Sequence, residues 1–470
     1  MSTLTNNPVS PLLESQTPAV KLFSSIKHLL GLDRAIAFTV LARGTQILAS
    51  TGTVLLILRF LSPVEQGYYY TLLSLVSLQT VFELGFSFVI LQMAAHECAH
   101  LTLHPDGGIE GDAIAQARLA SILQKTLRWY LVASGILCVS LLPVGAYFFS
   151  RHSHVSAPVD WYGPWTVAVF ATAFLFFLNP FFSFLEGCGQ IWQVGRMRFT
   201  QAILGAALSW GALLAHRGLY APGMVNFGFA AAGLAFLYGR RNLCLGLLRR
   251  PASEQSVSWR SEIWPFQWKI AVSWICAYVS IQFFTPVLFA YRGAAEAGQF
   301  GMSLSITGHM WALALAWMST KATPFGQMIA RREFERLDQL FFRTLWQALG
   351  LLAIMAVCCE LGLISAGKLA PHLAARFVSP VVFSVLLITA FAMFVVQAFA
   401  VYLRAHKDEP FLIQSSVVAM LTILGALWCA TRWGMWSAAI TYFLSTGVIG
   451  LSYATAIFHL KRRAHRTCYG

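Results

Sequence analysis

The chain has 470 residues, of which 57% are hydrophobic and only 11% charged, with a formal net charge of +14. Soluble domains carry about 25% charged residues, so this sequence lacks the polar surface to cover a water-facing globule. Apolar runs recur along its whole length, which excludes a soluble domain with a single anchor. Nine cysteines are scattered without a CxxC pair, a usage that argues against a disulfide scaffold or thiolate metal site and suits small apolar fillers.

Residues 1–34 read as a cytoplasmic segment. Met1 to Pro18 is polar and Pro-rich, with no apolar core of a cleavable signal. Val20 to Gly31 places Val20, Phe23, Ile26, Leu29 and Leu30 among Lys21, Lys27 and His28. That pattern predicts an interfacial amphipathic helix with its cations near anionic headgroups.

A bilayer span needs about 20 mostly apolar residues. Qualifying runs lie near 36–58, 67–91, 129–149, 164–186, 199–215 and 222–239, then near 268–290, 298–319, 345–366, 379–403, 411–430 and 435–458. The fifth, sixth and eleventh are short or Gly-rich. In the fourth, Asn179-Pro180 predicts an interruption that frees a backbone carbonyl. Trp161, Trp165, Trp259 and Trp264, near span ends, read as interface anchors.

With the N-terminus in the cytoplasm, 25 of the 33 Lys and Arg fall in cytoplasmic segments. Six fall opposite: Arg151, Arg217, Arg292, Lys368, Arg376 and Arg432. This positive-inside bias predicts cytoplasmic termini. It also accounts for the charge without nucleic acid, because the cations recur at membrane edges rather than in one aromatic-interleaved domain.

The loop after the first run reads Leu61-Ser-Pro-Val-Glu65-Gln-Gly67-Tyr-Tyr69, and the loop after the seventh reads Arg292-Gly-Ala-Ala-Glu296-Ala-Gly298-Gln-Phe300. A second pair, Arg118-Leu119 with Lys125-Thr126-Leu127 and Arg336-Leu337 with Arg343-Thr344-Leu345, precedes the third and ninth runs. Both matches fall at equivalent places in a six-plus-six plan. The expected fold is an all-α polytopic membrane protein with about twelve transmembrane helices in two pseudo-symmetric six-helix bundles. The bundles span 35–245 and 265–460, joined by a basic cytoplasmic linker at 246–264 and followed by a basic tail at 461–470. Halves of six spans share one orientation, so an axis along the membrane normal relates them, as in some secondary transporters.

The stretch from Arg59 to Tyr69, followed by Glu83-Leu-Gly-Phe86 and Ala94-Ala95-His96-Glu97, resembles the first two spans of polysaccharide flippases. These belong to the multidrug/oligosaccharidyl-lipid/polysaccharide exporter superfamily. The resemblance implies a V-shaped pair of bundles turning a polyprenyl-pyrophosphate-linked glycan from the inner to the outer leaflet of a bacterial inner membrane. Its partners would be that lipid-linked substrate, membrane lipids, and glycan polymerases or glycosyltransferases, with no cofactor. An ion-coupled drug or metabolite antiporter of the same fold is the alternative. Antiporters of this kind often carry an acid in the first span, where this chain has Arg43. A non-transporting component of a polysaccharide machine is a further reading.

Ionisable groups deep in a bilayer are costly and usually face a cavity. Arg43, Gln282 and Gln397 are therefore candidate substrate ligands, with Arg43 pairing with a pyrophosphate or else snorkelling to headgroups. Glu83 and His309 are candidates for proton coupling, or for helix–helix hydrogen bonding. Glu65, Gly67, Glu296 and Gly298 are expected to shape outer turns. Glu186 is expected to partner Arg196 or Arg198. His96-Glu97-Cys98-Ala99-His100 matches H-E-x-x-H, in which one helix face would present His96 and His100 to zinc with Glu97 as general base. Its place at the end of the second span makes a polar helix end the simpler reading, and no metal site is predicted. No phosphate loop or nucleophile elbow occurs, so transport would be driven by an ion, the membrane potential or the substrate gradient.

Overall fold

The computed structural model describes residues 34–103, 108–152, 159–250, 264–406 and 411–469. The predicted surface helix at Val20 to Gly31, Trp259 and most of the linker lie outside them. Nearly everything described is helical. One short antiparallel pair, Leu101–Leu103 with Ile109–Gly111, follows the second helical run.

The N-terminal half begins with α1 (Arg34–Phe60). A second run is broken into α2 (Pro63–Val76), α3 (Gln79–Glu83) and α4 (Phe86–Cys98). Then come α5 (Ala113–His152), α6 (Tyr162–Gly187), α7 (Ile191–Leu214), α8 (Ala221–Tyr238) and a short α9 (Arg241–Leu248). The C-terminal half repeats the plan. A run broken at Phe283 gives α10 (Trp264–Gln282) and α11 (Phe284–Arg292), followed by α12 (Ala294–Ser319), α13 (Ala322–Ala330) and α14 (Phe334–Leu369). After a four-residue α15 (Pro371–Ala374) come α16 (Pro380–Ala405), α17 (Leu412–Trp433) and α18 (Met435–Tyr442). A π-helical stretch, Phe443–Gly450, leads into α19 (Leu451–Tyr469).

Helical segments thus cover all twelve predicted runs. Seven described helices are long and apolar enough to cross a membrane, eight if the bent α2–α4 run is one span. Among the described residues α7 and α12 fall below that threshold, and Gly44–Phe60 of α1 and Leu412–Trp428 of α17 are shorter apolar helices. Polar residues of α1 and α12 line the cavity described below.

Burial repeats between the halves. The long third helices, α5 and α14, each have only 22% of their apolar window buried, whereas the fourth helices, α6 and α16, have 67% and 61%. Each half therefore wraps a central helix and turns its third helix outward to lipid. The paired motif positions agree, since Leu119 and Leu337 are both fully buried, as are Thr126 and Thr344 to within 3%.

Two sequence expectations need correction. Helix α6 runs unbroken through Pro180, because its packing against α5, α8 and α4 holds it on both sides of the proline. Trp165 is no interface anchor. It is fully buried, lies 5.9 Å from Phe149 and donates its indole N–H to the Leu142 carbonyl at 3.2 Å. Trp264 is exposed, as an anchor would be.

Candidate functional site

The two repeat motifs meet back to back. Ser62 and Glu65 form a reciprocal capping box that starts α2, with N–H to side-chain oxygen distances of 2.8 and 3.2 Å. Gly67 and Gly298 therefore sit just past the first turns of α2 and α12, not in loops. These turns are in backbone contact. A Cβ on Gly298 would lie 2.7 Å from the Gly67 nitrogen, and one on Gly67 would overlap the backbone of Ala294. Only glycine at both positions permits so close an approach.

A polar cluster completes this seal. Arg376, 8% exposed in the loop before α16, donates from Nε to Gln66 Oε1 at 2.7 Å. It also donates to the Leu61 carbonyl at 2.8 Å and the Ser62 carbonyl at 3.3 Å. Gln66 Nε2 in turn donates to the carbonyls of Gly298 and Arg376, at 2.9 and 3.0 Å. Burial lowers the Arg376 pKa from its ordinary value, with the Glu65 carboxylate acting in the opposite sense. Beside it an aromatic cluster crosses the halves, with Tyr68 and Phe149 packing on Phe289 at 4.9 and 5.6 Å.

Further along, α3 packs on α10 and the second run breaks. Leu84 and Gly85 both take left-handed conformations (φ 53° and 68°), and α2–α3 meets α4 at 41°. Such a φ is strained for leucine. The Leu84 carbonyl accepts the Gln267 amide of the other half at 2.6 Å, so a backbone group at the break finds a partner without water. Between seal and break, Ser74 donates to Gln282 at 3.2 Å, and the Tyr278 hydroxyl donates to the Ser74 carbonyl at 3.1 Å.

On the other side of α2, the halves part around a cavity of about 330 Å³. Its polar lining is Gln46, Ser50 and Thr53 of α1, Tyr69 and Tyr70 of α2, and Ser305 and His309 of α12. Apolar walls come from Leu73, Phe229 and Leu313 among others. His309 lies eleven residues past Gly298, about 16 Å along α12. A carbonyl can only accept, so the His309 Nδ1–H donates to the Ser305 carbonyl at 2.6 Å and Nε2 is the atom left for other partners. Gln46 also lines an adjoining recess of about 240 Å³ with Glu186 and Arg198, whose side chains pair at 2.7 Å.

Of the sequence candidates, His309 lines the cavity. The side chain of Arg43 lies outside the described residues. Gln282 instead bonds across the halves, and Gln397, half-buried on α16, is not among the lining residues. Glu83 sits at the helix break and accepts from Ser87 at 2.6 Å, with the Tyr130 hydroxyl 3.3 Å from Ser87. It faces its own half and is not grouped with His309. Glu296 pairs with Arg292 at 3.2 Å. Arg376 and Gln66, which complete the seal, carried no signal in the sequence beyond Gln66 lying in the motif.

The H-E-x-x-H match does not form a zinc face. Helix α4 ends at Cys98, so His100 lies in the turn beyond it. Glu97 is 6% exposed and held by Arg118 at 2.8 Å. Among the described residues no group of three or more His, Cys, Asp or Glu could hold a metal.

Two halves of matching burial, joined at glycine-lined helix starts and parted around a central cavity, can be compared with solved structures. An outward-facing MATE multidrug-resistance transporter of the MOP superfamily matches over 92% of this chain and 96% of its own, with TM-score 0.57 and 12% identity. The lipid II flippase MurJ in an inward closed conformation matches over 91% and 87%, with TM-score 0.57 and 12% identity. A MOP superfamily transporter from Pyrococcus furiosus matches over 92% and 95%, with TM-score 0.54 and 14% identity. The chain shares the fold of these transporters. It is an all-α polytopic membrane protein, and its neighbours in structure are transporters rather than enzymes. No family model and no curated protein matches the sequence.

Proposed function

We propose that this chain is a flippase that moves a polyprenyl-pyrophosphate-linked oligosaccharide between leaflets by alternating access. The observation that carries the reading is the cavity, sealed at the Gly67–Gly298 end and lined by both polar and apolar groups. Such a lining suits an amphipathic substrate, with hydroxyl, amide and imidazole groups for a glycan headgroup and apolar walls beside them. In the adjoining recess a phosphate would compete with Glu186 for the Arg198 guanidinium. On this reading the termini are cytoplasmic, the seal is on the outer side, and the chain faces inward in a bacterial inner membrane. Glycosyltransferases would supply the substrate and glycan polymerases would consume it.

The cavity volume favours a second reading, an ion-coupled antiporter of drugs or metabolites. About 330 Å³ is near the lower end of small-molecule pockets and would have to widen for an oligosaccharide. Proteoliposomes separate the two. A flippase exposes a fluorescent polyprenyl-pyrophosphate glycan to an outer-leaflet quencher, and an antiporter instead releases an organic cation against an ion gradient. Absence of glycan movement in vesicles that do release the cation would reject the flippase.

His309 is the proposed coupling residue in the cavity, with Glu83 acting at the helix break. If so, His309→Ala and Glu83→Gln each flatten the pH dependence of transport. Full pH-dependent transport in both variants would remove proton coupling from these residues.

A further inference from the structure

A recess of about 310 Å³ lies apart from the interface between the halves, where α5 and α6 meet the end of α9. Arg128, Arg250 and Gln124 supply its polar wall, and Leu131, Phe177 and Leu248 its apolar one. The Gln124 amide is already committed. It donates to the carbonyls of Leu247, Leu248 and Arg250 at 3.0, 3.2 and 2.9 Å, which satisfies the last carbonyls of α9 and ties that helix to α5. The two guanidiniums remain, and among the described residues neither has a carboxylate partner.

The position of the recess along α5 identifies what it faces. Trp129, 41% exposed, adjoins Arg128, and exposed tryptophans of membrane helices mark headgroup level. Immediately beyond it, α5 turns Leu131, Val132, Ile136 and Val139 outward at 54–74% exposure, a surface suited only to acyl chains. The recess therefore straddles the boundary, with two cations on the headgroup side and apolar walls on the chain side. A soluble anion would use only the first of these.

We propose that this recess binds an anionic glycerophospholipid of the surrounding bilayer. Its phosphate sits between Arg128 and Arg250, and an acyl chain lies over Leu131 and Phe177. Basic pockets between membrane helices are a known form of headgroup site. Occupation would pin the end of α9 to α5 in the N-terminal half. The inference is independent of the transported substrate.

The test uses the purified full chain in nanodiscs, with retained lipid read by native mass spectrometry and affinity by titration of phosphatidylglycerol. The wild type is expected to retain phosphatidylglycerol and not phosphatidylcholine. Replacing both cations, Arg128→Ala with Arg250→Ala, should weaken binding roughly 30-fold, the combined effect of two surface charges. The Arg128→Lys, Arg250→Lys pair should recover most of it, and Arg217→Ala should change nothing. Equal retention in the double alanine variant, or equal binding of phosphatidylcholine, overturns the proposal. So does displacement of the lipid by millimolar inorganic phosphate, which would make the recess a free-anion site.

Discussion

If the Gly67–Gly298 contact is the seal between the halves, Gly298→Ala should open that end selectively. The new Cβ would lie 2.7 Å from the Gly67 nitrogen and 3.0 Å from its Cα. Both are backbone atoms, so no rotamer change can relieve the contact. Reaching ordinary contact at 3.4 Å requires the helices to separate by 0.7 Å. That shift stretches the Gln66 to Gly298 hydrogen bond from 2.9 Å to about 3.6 Å, beyond useful range. Overpacking costs about 1–3 kcal/mol and the lost bond about 1 kcal/mol. Alanine's better helix propensity returns about 1 kcal/mol. The net, about 1–3 kcal/mol, shifts the sealed–open equilibrium roughly 5- to 150-fold. Hydrogen exchange in nanodiscs reads it, since the hydrogen-bonded amides of α2 and α12 from Gly67 and Gly298 onward should exchange faster by that factor. Gly350→Ala, where nothing lies within 4 Å, is the control and should be neutral. Unchanged exchange at these amides of both helices in Gly298→Ala would refute the seal.

Three further perturbations test the packing. Gln267→Ala leaves the Leu84 carbonyl unmet at a cost of about 1–3 kcal/mol, so exchange should rise around residues 84–88 without change at the seal. Asp338 accepts from Tyr402 at 2.9 Å and from Arg462 at 2.7 Å, and Arg462 is only 23% exposed. Asp338→Asn should therefore cost about 2–3 kcal/mol, less than a fully buried pair would, measured as a lower Tm. Glu97→Gln breaks the Arg118 pair and should lower Tm by a few degrees, while the zinc content of purified protein stays the same in variant and wild type.

The architecture was legible because its signals are long and redundant. Apolar runs, loop cations and two in-step motifs each point to the same six-plus-six plan, and the matching burial of α5 with α14 and of α6 with α16 repeats it. The Glu186–Arg198 pair was readable for a similar reason, since a carboxylate at a helix end needs the nearest cation. What depends on contact between distant segments was hidden. Arg376 looked like one of six sparse cations because nothing in its neighbourhood reveals that it reaches Leu61, Ser62 and Gln66, some 310 positions away. Trp165 shows the opposite error. A tryptophan near a span end defaults to the interface, and only the Gly145 notch beside its ring reveals a core position. Pro180 failed likewise, because a proline breaks an isolated helix more readily than one gripped on both sides.

A duplication of the six-span half would explain why the seal sits where it does. When an axis along the membrane normal relates two halves, positions near that axis meet their own counterparts, as in a twofold interface. Gly67 and Gly298 are such counterparts, and their mutual clash if either gained a Cβ is what near-axial placement requires. Glu65 and Glu296 are also matched, but the residue between each pair is not: it is Gln66 in one half and Ala297 in the other. Gln66 carries two of the cross-half hydrogen bonds and receives the Arg376 guanidinium, whereas Ala297 is a fully buried methyl. The close approach is thus inherited from symmetry, while the polar cluster that holds it was built on one side only. Such a division suits a gate that must open, because a twofold set of buried charged contacts would be harder to break than one. Exchanging Gln66 for alanine should accordingly loosen the glycine contact, read as faster amide exchange at Gly67 and Gly298, while leaving the fold intact.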